Sequence, residues 1–256
     1  MSFKARAVLL LCAAVCTAIV STLSGVSAQG CSRIVTRQEI RTLGDRERNA
    51  YLAAIQRLQS GNKPTRYDQF TSMHLQVSAS AHGYPQFLPW HRYYLREFEK
   101  ALQAIDRNIV LPYWDWSYDS QVPHLSPIFR PDWYGGPGNP NNNYCVTGRF
   151  AGWSPSYPQP HCLRRRFDRG AQISAFSTPE QVEMLKRVST DYNQFRVRLE
   201  GAPHARVHVQ IGDQGTDMST MASPNDPIFW LHHTFVDKVW ADWQDSNPAF
   251  RNNYLG

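Results

Sequence analysis

Nine histidines occur in the 256-residue chain, and seven of them fall into two groups: His74, His82 and His91, then His204, His208, His232 and His233. His124 and His161 stand apart in a stretch rich in proline, glycine and aromatic residues and read as ordinary loop histidines. A single histidine on an apolar face is most often a hydrogen-bonded core residue, so the grouping is what points to chemistry. His204 and His208 are four residues apart and share one face of a helix, the usual way for one helix to offer two imidazoles to one ion. Val207 and Val209 flank His208, which sits badly with an exposed polar pair. His233 is followed four residues later by Asp237, placed to accept a hydrogen bond from the second ring nitrogen and so fix the tautomer.

The donor set narrows the metal. Ala205 stands where a zinc protease of the His-x-x-x-His type carries glutamate. A carboxylate-bridged iron pair needs several glutamates and Glu-x-x-His repeats, and the chain contains no Glu-x-x-His. All-imidazole ligation without thiolate suits copper best, with zinc as the alternative.

Four helical segments must position these residues. Arg46 to Gln59 carries Tyr51, Ile55 and Leu58 on one face. A second starts at Pro89, with Tyr94, Leu95, Phe98, Leu102 and Ile105 at helical spacing. Thr178-Pro179-Glu180-Gln181 opens a third with a cap and a glutamine three residues on; it breaks near Ser189 and resumes through Tyr192, Phe195 and Leu199. The fourth follows Asn225-Asp226-Pro227 and carries Phe229, His233, Val236, Trp240 and Trp243. Between the second and third lies a long irregular stretch, Leu111 to Ser177, whose tryptophans and tyrosines predict an ordered, packed loop. The expected fold class is mainly α: a four-helix bundle housing the two histidine groups, decorated with long irregular loops.

Apolar residues make up 42% of the chain, enough for a sizeable core, and the formal net charge is +6. The basic residues are scattered apart from Arg164-Arg165-Arg166, which reads as a solvated loop, so no nucleic-acid partner is expected. Lys4 and Arg6, the apolar run Ala7 to Val20 and the small residues Val26-Ser27-Ala28 describe a secretory signal peptide over residues 1–28. Residues 29–256 are then a single domain, extracellular and without a membrane anchor after cleavage. Three of the five cysteines remain: Cys145 and Cys162 bracket a Gly/Pro/Tyr-rich stretch and are expected to pair, leaving Cys31 over. Oligomeric state has no signature in the sequence.

At this point the motifs resemble a known family. His82-Gly83 with Phe87-Leu88-Pro89-Trp90-His91-Arg92-Tyr93-Tyr94-Leu95 is similar to the copper A motif of tyrosinases, catechol oxidases and molluscan haemocyanins. Asp226-Pro227-Ile228-Phe229-Trp230-Leu231-His232-His233, with Asp237, resembles their copper B motif. Leu111-Pro112-Tyr113-Trp114-Asp115-Trp116 resembles the stretch that follows the copper A helix. The resemblance spans Arg37 to Gln244 and implies two copper ions, one on His74, His82 and His91, the other on His204, His208 and His233. His233 is preferred to His232 because the family's ligand lies four before the aspartate. Phe229 would lie against the copper B imidazoles and exclude water. The implied reaction is oxidation of catechols to o-quinones with O₂, with hydroxylation of monophenols such as tyrosine as a further activity; the small-molecule partners are O₂ and a phenol. The alternatives are a haemocyanin-like oxygen binder and an inactive structural relative.

Three departures from the family pattern shape the expectation. Strong monophenol hydroxylases carry an asparagine after the first copper B histidine, where this chain has Ala205. Their water-holding glutamate is matched by Glu200, only four residues before His204, which favours catechol oxidation over hydroxylation. Ser80 and its neighbours include no cysteine, so no thioether to His82 is expected. The chain ends soon after the copper B motif, giving the expectation of a site without a covering domain.

Overall fold

The computed structural model describes residues 34–254. The expected leader and Cys31 lie outside the described residues. Seven α-helices form among the described residues: α1 Asp45–Leu58, α2 Arg66–Ala81, α3 Phe87–Gln103, α4 Pro179–Val188, α5 Tyr192–Leu199, α6 Ala205–Gly212 and α7 Ile228–Ser246. No strand occurs among the described residues, only isolated bridges.

Local chemistry explains most helix starts. Thr178 accepts the Gln181 N–H at 3.3 Å while the Gln181 side chain accepts the Thr178 N–H at 3.0 Å, starting α4. Asp191 accepts the Gln194 N–H at 2.8 Å and starts α5. The intervening break falls at Ser189, as expected. α3 begins at Phe87 rather than Pro89; the proline sits in the first turn, where its missing N–H has no helical partner to lose. α2, which carries His74, was not expected. Its start is a reciprocal pair: Thr65 Oγ1 accepts the Asp68 N–H at 3.1 Å, and Asp68 accepts the Thr65 N–H at 2.8 Å. The helix is hard to see from its apolar residues because serine, glutamine and serine occupy much of its second half; its buried face is Tyr67, Phe70, Thr71 and His74.

α3 packs against α1, α2 and α7. At the α3–α7 crossing Phe98 stacks on Trp230, ring centroids 3.6 Å apart and nearly parallel. At this crossing the polar handles are used: Trp230 Nε1–H donates to the Tyr67 hydroxyl at 2.9 Å, which donates to the Pro224 carbonyl at 2.8 Å. Tyr94 donates to the Phe70 carbonyl at 2.7 Å. Buried tyrosine and tryptophan need such partners, and here the partners tie α2, α3 and α7 together at fixed heights.

The stretch from 111 to 177 is ordered and packed, with Trp114, Trp116, Ile128, Tyr134 and Phe150 buried against the helices. Cys145 and Cys162 form a disulfide with Cα atoms 5.6 Å apart. The arginine triplet is not a solvated loop. Arg165 is fully buried, its guanidinium forked onto both Asp226 oxygens at 2.8 Å, with further bonds to the Tyr134 and Gly136 carbonyls at 3.0 and 3.3 Å. The buried carboxylate just ahead of α7 supplies what an arginine needs to leave water. Arg166 pairs with Asp213 at 2.9 Å.

Candidate metal centre

Two histidine groups form, and the elements deliver them differently. α2 presents His74 and ends at His82; α3 presents His91 one turn from its start. Within this group the ligand nitrogens lie within 4.8 Å of one another. The second group comes from α6, α7 and the turn before α6. That turn, Glu200–His204, is π-helical and contains Pro203. Proline cannot donate the N–H that an α-turn requires, and one wider turn absorbs the mismatch. It leaves His204 and His208 on one side of the chain. Gly212, at the end of α6, permits a close approach: a Cβ there would lie 2.3 Å from the Ser219 nitrogen. The turn at 217–219 therefore closes on α6 and brings the Met218 carbonyl to His208.

The ring nitrogens show what these residues are arranged to hold. His74 Nδ1–H donates to the Met221 carbonyl at 2.7 Å and His82 Nδ1–H to Ser78 at 3.0 Å. His91 Nδ1–H donates to Phe87 at 2.8 Å, His204 to Glu200 at 3.1 Å and His208 to Met218 at 2.9 Å. A carbonyl only accepts, so each Nδ1 carries the proton and each Nε2 keeps a free lone pair. Those lone pairs converge. His204 Nε2 and His208 Nε2 lie 3.3 and 3.1 Å from His233 Nε2. Two nitrogens bound to one ion at about 2.0–2.1 Å in tetrahedral array sit roughly 3.3 Å apart. The Nε2 atoms of His74 and His91 are buried with no partner among the described residues. Buried lone pairs facing one another are unfavourable unless a cation lies between them, so the residues fit a metal.

Charge agrees. Burial, reinforced by the neighbouring His82, pushes His74 down to about 3. Burial pushes His208 down to about 4 and holds His91, His204, His232 and His233 well below the usual imidazole range. Neutral imidazole is the form that binds metal. The two groups also face each other directly: His91 and His233 stack with centroids 4.4 Å apart.

His232 lies in the second cluster but is differently engaged. Trp116 Nε1–H donates to His232 Nδ1 at 3.2 Å. An indole N–H only donates, so the proton of neutral His232 sits on Nε2 and neither nitrogen has a lone pair to spare. His233 differs in turning its Nε2 toward His204 and His208. The expected bond from His233 to Asp237 does not form. Arg37 donates to Asp237 Oδ2 at 3.0 Å and Arg92 to Oδ1 at 2.5 Å; two guanidiniums outcompete a neutral ring N–H for one carboxylate. His233 Nδ1 has no partner among the described residues, and Asp237 ties α3 to α7 instead.

Phe229 packs on His233 with ring centroids 4.1 Å apart and stands 5.5 Å from His74 and 6.0 Å from His208. Phe87, given no separate role in the sequence reading, faces it from the other side, 4.8 Å from both His91 and His204. Glu200 accepts the Gly83 N–H at 2.6 Å and the Arg196 guanidinium at 3.0 Å. A cavity opens onto His74, His82, His204 and His208, with Ala205 and Val209 also lining it. The Met218 and Met221 carbonyls, which orient two histidines, carry no side-chain signal that a sequence could show.

The fold and the site define a helical protein in which two neighbouring histidine groups could hold metal. The family model for the common central domain of tyrosinase matches residues 64–246. Tyrosinase from Streptomyces antibioticus is 36% identical over 240 residues, spanning 84% of this chain and 85% of that protein. Tyrosinase-like protein 1 from Margaritifera margaritifera is 33% identical over 241 residues, covering 85% of this chain and 47% of that one. A polyphenol oxidase variant from Thermothelomyces thermophila superposes with a TM-score of 0.63 at 27% identity, over 84% of this chain and 71% of that one. A functional unit of octopus hemocyanin shares the fold, with a TM-score of 0.60 at 20% identity over 83% of this chain and 53% of that one. The chain belongs to the tyrosinase family.

Proposed function

We propose that the chain is a secreted copper-dependent phenol oxidase that uses O₂ to convert o-diphenols to o-quinones and hydroxylates monophenols weakly. The observation that carries this is the uniform tautomer: five imidazoles pinned through Nδ1 to backbone carbonyls, with Nε2 atoms turned inward beside His233. His74, His82 and His91 would hold one copper and His204, His208 and His233 the other. Copper bound there supplies the redox chemistry by which two catechols are oxidised as one O₂ is reduced to two waters.

The protein's own part is orientation and exclusion. The carbonyl bonds fix each ring before metal arrives, so little reorganisation remains. Phe229 and Phe87 wall the histidines with apolar surface. Ala205 in the cavity lining offers no amide to hold a water, and both Glu200 oxygens are already engaged by Gly83 and Arg196. A catechol with acidic, adjacent hydroxyls needs less help in losing protons than a monophenol, so this arrangement favours diphenols. The signal-like residues 1–28 support export.

The test is copper analysis followed by oxygen uptake. Two copper ions per chain, and one O₂ consumed for every two catechols, are expected. A chain that holds two coppers and consumes no O₂ with catechol would overturn the reading. N-terminal sequencing of exported protein should begin at Gln29.

A further inference from the structure

Beside the histidine cavity lies a second one, lined by Leu75, His161, Arg164, Asp217, Thr220 and Met221 among others. The two share a wall: Thr220 and Met221 line both. They are joined through the backbone as well. Leu75 follows His74, Asp217 precedes the Met218 whose carbonyl orients His208, and the Met221 carbonyl orients His74.

The charges lining this second cavity are unequal. Asp217 is buried and saturated: Oδ1 accepts from His161 Nε2 at 2.9 Å and from the Asn225 amide at 2.8 Å, and Oδ2 accepts the Arg164 N–H at 2.8 Å. Of the three consecutive arginines, Arg165 is spent on Asp226 and Arg166 on Asp213. The Arg164 guanidinium, half-buried, makes no hydrogen bond or ion pair among the described residues. A planar cation with five donors, held without an anion at the edge of a cavity, matches a carboxylate. His161 is tied to that same carboxylate, and the bond pushes it up from its usual range.

We infer that Arg164 is an anchor for the carboxylate tail of a phenolic substrate whose ring occupies the neighbouring histidine cavity. The inference rests on the phenol-oxidase reading and narrows it to phenols bearing an anionic side chain. Arg164 positions substrate; it takes no part in electron or proton transfer. Its backbone N–H, which holds Asp217, is untouched by side-chain substitution.

The test compares copper-loaded wild type with Arg164→Gln on three substrates: 3-(3,4-dihydroxyphenyl)propionate, its neutral amide, and catechol. Wild type should show a KM for the acid roughly tenfold below that for the amide, the size expected of one charge-assisted contact. In Arg164→Gln that difference should vanish, with kcat and the KM for catechol unchanged. A wild type that does not separate acid from amide, or a variant that shifts all three substrates equally, overturns the anchor. Calorimetric titration with 3-phenylpropionate, which cannot be oxidised, reads the same contact without turnover. If no catechol is oxidised, the phenol-oxidase reading fails on its own; Arg164-dependent binding of phenylpropionate then still supports the anchor, and its absence overturns it. Arg164-dependent binding of acetate as tight as that of phenylpropionate would overturn it too, since that is a site for free anions.

Discussion

Each inward-facing histidine here is aimed by the atom on its far side. The Met218 carbonyl accepts the Nδ1–H hydrogen bond of His208, and that bond turns Nε2 toward His233. His208→Ala removes one of three imidazoles from the second group. Copper content is expected to fall from two to one per chain by atomic absorption, and catechol oxidation by more than about 100-fold, beyond the range for loss of an outer partner. Retention of both coppers would mean that the ligand set is wrong. The lining residue Ala205 tests a different property. Ala205→Asn introduces an amide beside His204, and the ratio of monophenol to diphenol rates should rise several-fold in oxygen-electrode assays; an unchanged ratio would show that Glu200, held by Gly83 and Arg196, takes no water from that side.

Helices set where those atoms stand, and here the sequence was unevenly readable. The i,i+4 spacing of His204 and His208 and the capped start of α4 are local patterns, and they are visible in one dimension. Two positioning devices are not. α2 hides behind serines and glutamine, although Thr65 and Asp68 mark its start. The π-helical turn at Glu200–His204 shows only as a proline, because its width is set by packing. That turn can be probed by deleting Gly201, an exposed residue within it. One residue fewer rotates the preceding and following helices by about 100° relative to each other. Copper bound by the second group should be lost while the helical circular dichroism stays close to wild type; full copper retention would show that the turn has no positioning role. The neighbouring segment 217–226 is held by the Asp217–His161 bond. That bond raises the folded pKa of His161, so its stabilisation is fully present below the unfolded value of about 6.5 and is lost as pH rises through the folded one. The melting temperature of wild type should therefore fall between about pH 6 and pH 8 relative to His161→Asn, which lacks that slope. Parallel profiles would remove the linkage.

At the scale of the whole molecule, the helices alone do not enclose the site; the irregular stretch from 111 to 177 completes it. Its Trp116 fixes the tautomer of His232, its Ser156 bonds the Asp68 that starts α2, and its Arg165 is buried against Asp226, two residues before α7. Apolar spacing and caps made most of the helices legible, the family resemblance supplied the expected ligand set, and the density of aromatics announced an ordered loop. No sequence pattern announced that one of three arginines would be fully buried, because that depends on an aspartate 61 residues away. The Arg165–Asp226 pair is where loop and bundle meet, and it makes the strongest stability prediction. Arg165→Met leaves the Asp226 carboxylate buried without its cation and strips donors from loop carbonyls. Loss of one partner of a buried pair costs about 3–5 kcal/mol, measurable as a shifted urea midpoint. Adding Asp226→Asn removes the stranded charge but keeps an oxygen for the Ile228 N–H, which Asp226 Oδ1 accepts at 3.0 Å. The double variant should therefore recover part of the loss and be more stable than Arg165→Met alone. If the single variant costs less than about 1 kcal/mol, or the second substitution only adds to the damage, the pair is not what fastens the loop to α7.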